Sequence, residues 1–168
     1  MIVPVVSMKT DVTNLESSLD FVMGRGSSKH SSYVCVSNVH MCMEAFDDSS
    51  FRDVVNSADL VIPDGRPISW AQKALGFRSA RQVRGQDIMN EICSVSGAKN
   101  LKIGFYGGSS DELLEQVVNS LQKDYPDIKI VYHYSPPFRP LTSEEDEQVV
   151  REINDAGVNV LFVGIGCP

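Results

Sequence analysis

A single carboxylate, Asp64, stands in the run Asp59-Leu-Val-Ile-Pro-Asp-Gly65. Leu60 to Ile62 read as a short buried strand. Pro63, which cannot donate to a sheet ladder, closes it, and Gly65 permits a tight turn into the next helix. The acid is therefore expected at the C-terminal tip of a strand, where open α/β sheets bind ligands. From Gly65 to Gln86 there are five basic residues (Arg66, Lys73, Arg78, Arg81 and Arg84) and no acid, in a chain of formal net charge −7. One placed carboxylate beside local positive charge suits an enzyme that takes a proton from one substrate and steadies a phosphate leaving group on another. The same residues also fit a turn aspartate before a solvated basic helix.

Three further constellations sit at ends of elements. Gly104-Phe-Tyr-Gly107-Gly108-Ser109-Ser110 lies between a strand and a helix. Its glycines let backbone amides approach an anion, and the helix N-terminus adds partial positive charge. The spacing is neither G-x-G-x-x-G nor a Walker loop, which argues against dinucleotide and ATP chemistry, and a plain tight turn is the competing reading. Ser37-Asn38-Val39-His40 follows an apolar strand, so Ser37 and Asn38 can either bind a ligand or cap the next helix. His40 is a possible base or an ordinary structural histidine, a choice that geometry decides. Asp87, after Gly85-Gln86, can hold a ribose or sugar hydroxyl or serve the helix N-terminus.

No two aspartates are separated by one residue, so a D-x-D metal clamp on a nucleotide diphosphate is absent. A departing diphosphate would then need Arg, Lys or helix dipoles, with Arg suited to bidentate recognition. No G-x-S-x-G or H-E-x-x-H occurs, against common hydrolase chemistries.

The elements that must position these residues alternate between strand and helix. A length of 168 residues fits one domain, 1–168, with an ordinary soluble composition of 42% hydrophobic and 22% charged residues. The negative charge argues against nucleic acid as a partner. Cys35, Cys42, Cys93 and Cys167 form no C-x-x-C pair, and Cys35 reads as a small core residue of a protein in a reducing, cytoplasmic compartment. The N-terminus lacks the pattern of a signal peptide, and no run of about 18 apolar residues could span a membrane. Strands are expected at Val3 to Met8, Tyr33 to Ser37, Leu60 to Ile62, Leu101 to Tyr106, Ile128 to Tyr132 and Val158 to Ile165. Helices are expected at Asn14 to Met23, Met41 to Phe46, Phe51 to Ala58, Pro67 to Leu75, Gln86 to Val95, Asp111 to Lys123 (capped by Ser110) and Glu144 to Asn154 (capped by Ser143). Gly24 to Ser32 reads as a loop. This alternation implies right-handed βαβ units and a largely parallel sheet. A strand that ends at Pro168 without a covering element makes the chain read as cut short.

Taken in order, Ser37-Asn38, Ala58-Asp59 leading to Pro63-Asp64-Gly65, Gly85-x-Asp87, Gly107-Gly108, Tyr125-Pro126 and Val163-Gly164-x-Gly166-x-Pro168 resemble the WecG/TagA/CpsF family of bacterial glycosyltransferases (glycosyltransferase family 26). The resemblance covers nearly all of the chain beyond about residue 10. It implies an α/β, Rossmann-like fold with a mostly parallel sheet, helices on both faces, and a C-terminal appendage that this chain lacks. It implies inverting, metal-independent transfer of an N-acetylmannosamine-like or other hexose from a UDP-sugar to a polyprenyl-pyrophosphate-linked acceptor, in cell-surface polysaccharide synthesis. No cofactor is implied. The family's general base maps onto Asp64, its Thr-x-Asn threonine onto Ser37 with the hydroxyl kept, and its asparagine onto Asn38. Gly65, Arg84, Asp87, Gly107, Gly108 and Ser109 are then expected to contact substrate.

The expected location is cytoplasmic and peripheral at the inner face of the cell membrane, through the missing segment; a homo-oligomer is compatible with it. The segment Tyr134-Ser-Pro-Pro-Phe-Arg-Pro140 resembles exopolysaccharide-type members more than the teichoic acid enzymes. The alternative is a non-catalytic nucleotide-sugar-binding scaffold.

Overall fold

The computed structural model of the chain describes residues 1–28 and 30–166. They form two compact units, Met1–Asn90 and Glu91–Gly166. The closing Cys167 and Pro168 of the family-like motif, and Lys29 of the expected loop, lie outside the described residues.

In the first unit the strands are β1 (Ile2–Val5), β2 (Met8–Asp11), β3 (Val34–Ser37) and β4 (Leu60–Pro63). The helices are α1 (Leu15–Gly26), α2 (Val39–Asp47), α3 (Ser49–Asn56), α4 (Arg66–Ala74) and the start of α5 (Gly85–Ser96). The expected single strand from Val3 to Met8 is instead the antiparallel hairpin β1–β2, with Val5 opposite Met8. Val6 takes a φ of 58° at its tip. Val3, Val5, Met8 and Thr10 are all buried, and only a reversal between the two pairs puts them on one face. The Thr10 hydroxyl donates to the Val3 carbonyl at 2.8 Å and accepts from Gln72 Nε2 at 2.8 Å, which pins the hairpin to α4. The core here gathers Val5, Met8, Cys42, Ala45, Val55, Val61 and Ile68, with Cys35 packed against it. Helix α1 also runs through Gly24 to Gly26, where a loop was expected.

Strands β3 and β4 pair in parallel, Val34 with Leu60 through Ser37 with Pro63. Two carboxylates extend this short ladder. Asp59 accepts from the Tyr33 amide at 3.1 Å, and Asp11 from the Val61 amide at 3.0 Å. Because Ser37 pairs with Pro63, both strands end in register and their C-terminal tips lie side by side.

The second unit holds β5 (Lys102–Gly107), α6 (Asp111–Asp124), β6 (Lys129–Tyr134), α7 (Ser143–Ala156) and β7 (Val160–Gly164). Its sheet is parallel in the order β6-β5-β7. The crossover through α6 runs from β5 to β6 and that through α7 runs back past β5 to β7, in the opposite direction across the sheet, so right-handed connections place α6 and α7 on opposite faces. Such a reversal of strand order opens a crevice at the C-terminal ends of the strands. Phe105 and Phe162 stack across β5 and β7, with ring centroids 5.5 Å apart. Ser110 caps α6, accepting from the Leu113 amide, as its position predicts. The cap of α7 is Thr142 and not Ser143: Thr142 and Glu145 form a reciprocal capping box. The α/β class with parallel strands joined by helices is the one the sequence implies.

Candidate functional site

In the first unit, the tips of β3 and β4 bring Ser37, Asn38, Asp64 and Gly65 together. The Ser37 carbonyl accepts from the Asp64 amide at 2.9 Å, so the turn carrying the acid hangs from the neighbouring strand. The Ser37 hydroxyl is fully buried and donates to the Ile62 carbonyl at 3.2 Å, which ties the two tips together. Asn38 caps α2: its Oδ1 accepts from the Met41 amide at 3.0 Å, and its amide nitrogen has no protein acceptor among the described residues. Gly65 backs onto Asn38, since a Cβ at Gly65 would lie 3.6 Å from Asn38 Cα. His40, the other candidate base, is exposed and pairs with Glu44 one helical turn on, at 3.2 Å.

The Asp64 carboxylate is half-buried and has no hydrogen-bond or ion-pair partner among the described residues. Its backbone is held on both sides. The Gln82 side chain donates to the Asp64 carbonyl, and the Val83 amide donates to the Pro63 carbonyl at 2.9 Å. Gln82 carries no motif, and only the return of the chain from residues 76–84 to the β4 tip reveals its role. Arg84 grips Asp87 with two hydrogen bonds, from Nε at 2.9 Å and from the second guanidinium nitrogen at 2.7 Å. That pairing raises the Arg84 pKa, with a smaller contribution from the Asp64 charge, and lowers the Asp87 pKa. Asp87 is therefore engaged by its own arginine. Arg84 Nη1 has no protein acceptor among the described residues.

Gly107, Gly108 and Ser109 belong to the second unit, at the turn from β5 into α6. Gly107 has a φ of 135° and Gly108 a φ of 102°. The Gly108 amide donates to the Gly164 carbonyl at 3.2 Å, so the turn is fastened to the tip of β7. Gly108 and Ser109 are exposed. Beside them opens a cleft of about 680 Å³, lined among others by Tyr106, Gly108, Pro137, Phe138, Thr142 and Asp146. A volume of this size suits a nucleotide-sized ligand. The Tyr106 and Tyr134 rings lie 6.0 Å apart. Burial, then Tyr134 and Asp146, push the Tyr106 hydroxyl up. Tyr132, whose buried hydroxyl has no hydrogen-bond partner among the described residues, is pushed up to about 12, mainly by burial.

One wall of the cleft is the proline strap from Ser135 to Leu141. Arg139 holds it with a bidentate pair to Glu145, both contacts 2.7 Å, while Glu145 also accepts from the Thr142 amide at 2.8 Å. These bonds, Arg139 first, hold the Glu145 carboxyl at about 2 instead of 4.5. A depressed carboxyl contributes stability above its ordinary value and loses it as pH falls toward its folded value. The melting-temperature gap between the protein and Glu145→Gln is accordingly expected to be constant above about pH 5 and to narrow steadily toward about pH 2. Melting curves across that range check this; a gap that is independent of pH would count against the strap.

Among the described residues no three His, Cys, Asp or Glu side chains gather as metal ligands, and no helix is long and apolar enough to cross a membrane. Cys35, Cys42 and Cys93 are free thiols, each pushed up by burial.

The chain is similar to two curated N-acetylglucosaminyldiphosphoundecaprenol N-acetyl-beta-D-mannosaminyltransferases. That of Bacillus subtilis (strain 168) is 26% identical over 157 residues, covering 93% of this chain and 59% of the relative. That of Staphylococcus aureus (strain NCTC 8325 / PS 47) is 25% identical over 141 residues, covering 84% of this chain and 53% of the relative. The chain thus spans somewhat more than half the length of these relatives. The model of the glycosyl transferase WecG/TagA/CpsF family matches residues 3–168, almost the whole chain. With both the ordered tips and this match in place, the chain belongs to the glycosyl transferase WecG/TagA/CpsF family.

Proposed function

We propose that the chain carries the chemistry of an inverting glycosyltransferase that moves an N-acetylmannosamine-like hexose from a UDP-sugar to a polyprenyl-diphosphate-linked saccharide, with no metal ion at the diphosphate. The observation that carries this reading is the Asp64 carboxylate, half-buried at a parallel strand tip and unpaired within the described chain. A base must have its oxygen free to accept a proton, and a backbone fixed on both sides holds it ready. In the reaction Asp64 takes the proton of the acceptor hydroxyl. The acceptor oxygen forms its bond to the anomeric carbon as the bond to the diphosphate oxygen breaks, and UDP leaves with that electron pair.

The unused donors of Arg84 suit the charge that develops on the leaving diphosphate, and Asp87 orients the guanidinium. The Asn38 amide nitrogen is available to a sugar hydroxyl. In the second unit, the Gly107-Gly108-Ser109 turn and its cleft suit an anionic ligand by themselves, since glycine amides at a helix N-terminus favour anions. The similarity to transferases named for a diphosphoundecaprenol acceptor supports the choice of acceptor class.

The test is protection against thermal unfolding. UDP at about 100 times its dissociation constant is expected to stabilise the native chain by about 2.7 kcal/mol, and NAD by nothing measurable. Protection by NAD and not by UDP overturns the donor assignment. UDP-sugar protection with no transfer to a polyprenyl-diphosphate sugar by the full-length protein would favour a binding scaffold instead.

A further inference from the structure

We propose that the exposed face of α4 lies on an anionic lipid surface, and that this contact sets Asp64 beside the plane of the headgroups. The proposal deepens the reading above and rests on it for the kind of surface, because a lipid-linked acceptor is found only there.

Helix α4 places Arg66, Trp70, Lys73 and Ala74 at positions i, i+4, i+7 and i+8, hence on one face. All four are exposed. The opposite side carries Ile68, Ser69 and Gln72, all buried. Trp70 is the only tryptophan of the chain, and it is 61% exposed. Tryptophan rings favour the boundary between headgroups and acyl chains, and a helix with cations beside such a ring lies in that plane. Leu75, at the end of the helix, is also exposed. The turn that follows exposes Arg78 and Arg81, and among the described residues Arg81 spends hydrogen bonds only on the Arg78 and Ala80 carbonyls. Among the described residues no carboxylate pairs with Arg66, Lys73, Arg78 or Arg81.

The charge argument selects the occupant. The chain as a whole is negative, at −7, so an anionic membrane repels most of its surface. The segment from Gly65 to Gln86 is the exception, with five cations and no acid. Each Lys or Arg held near an anionic leaflet contributes roughly fivefold in partitioning. The patch therefore orients the protein, with α4 toward the lipid. Asp64 directly precedes Gly65, the N-cap of α4. A nine-residue helix is only about 13 Å long, so a helix lying on the surface keeps the carboxylate within reach of a sugar attached to the diphosphate of a lipid.

The sole tryptophan makes the test direct. Emission of the full chain is recorded against vesicles of phosphatidylglycerol and of phosphatidylcholine, at low salt and at about 0.5 M salt, where screening shortens to a few ångströms. The expected result is a blue shift with phosphatidylglycerol alone, removed by salt. In co-sedimentation, the double variant Lys73→Glu/Arg78→Glu is expected to lose at least about tenfold in partitioning. Trp70→Ala should also partition less, while UDP protects the wild type and both variants equally. A shift of equal size with both lipids, or none with either, overturns the proposal. So does a blue shift that grows with protein concentration without lipid, because a second copy then covers the face. Lipid binding without UDP protection would sink the donor reading and leave this one standing; UDP protection without lipid binding would do the reverse.

Discussion

Asp64→Asn is expected to lower the turnover of the full-length protein by about 10²–10⁴-fold, the usual worth of a positioned general base. Asparagine keeps the shape of the side chain and cannot take a proton at neutral pH. Among the described residues, the hydrogen bonds that hold residue 64 are all made by its backbone: the amide bonds to Ser37 and Ile62, and the carbonyl bond from Gln82. None of them involves the carboxylate, so the fold should survive the change. UDP protection against thermal unfolding should be unchanged as well. The measurement is the initial rate of UDP release with a lipid-linked acceptor, beside the melting temperature with and without UDP. A rate within tenfold of the wild type would remove Asp64 from the chemistry. A lost melting transition would mean that the variant reports on folding, and Asp64→Glu, which retains a carboxylate one methylene further out, then tests the same point through partial activity.

The second large effect is structural. Gly107→Ala should destabilise the protein by about 4 kcal/mol or more, in the range reserved for backbone strain and core clashes. Two causes combine. A φ of 135° lies where only glycine rests without strain. An added Cβ would also stand 2.4 Å from the Gly164 carbonyl oxygen and 2.5 Å from its carbon, both backbone atoms of the adjoining strand. That strand cannot yield without parting β5 from β7. For a chain of this length such a loss corresponds to a fall of roughly 10 °C in melting temperature. Gly164→Ala is the control, because a Cβ there meets nothing within 4 Å, and it should be nearly neutral. Equal melting temperatures for the two variants would contradict the packing of the β5 and β7 tips.

Much of the local structure was legible in the residues. Asn38 and Ser110 each cap a helix with a side-chain oxygen, as their places in the sequence suggested, because such caps act within three residues of themselves, whereas the caps at Asn14 and Asp48 came from the structure. The position of Asp64 after a strand-ending proline was equally plain. The β1–β2 hairpin was not, because its turn is Val6-Ser7, without the glycine or asparagine that usually marks a reversal. The cap of α7 shifted by one residue because Thr142 and Ser143 are chemically equivalent as caps. What distinguished them was Glu145, three residues after Thr142, which also serves Arg139.

For the candidate site the division follows the range of the interactions. The amino-acid order alone settled the residue types, most of the strand and helix alternation and the run of cations after Asp64, which are read within a few positions of the chain, and the family, which is read from short motifs in a fixed order along it. Only the tertiary structure decided that Ser37 spends its hydroxyl on Ile62, that Gln82 returns to brace the Asp64 turn, and that the strands of the second unit run in the order β6-β5-β7. Those facts depend on groups up to tens of residues apart, brought together when apolar surface is buried, and burial depends on which faces meet and not on the order in which residues follow one another.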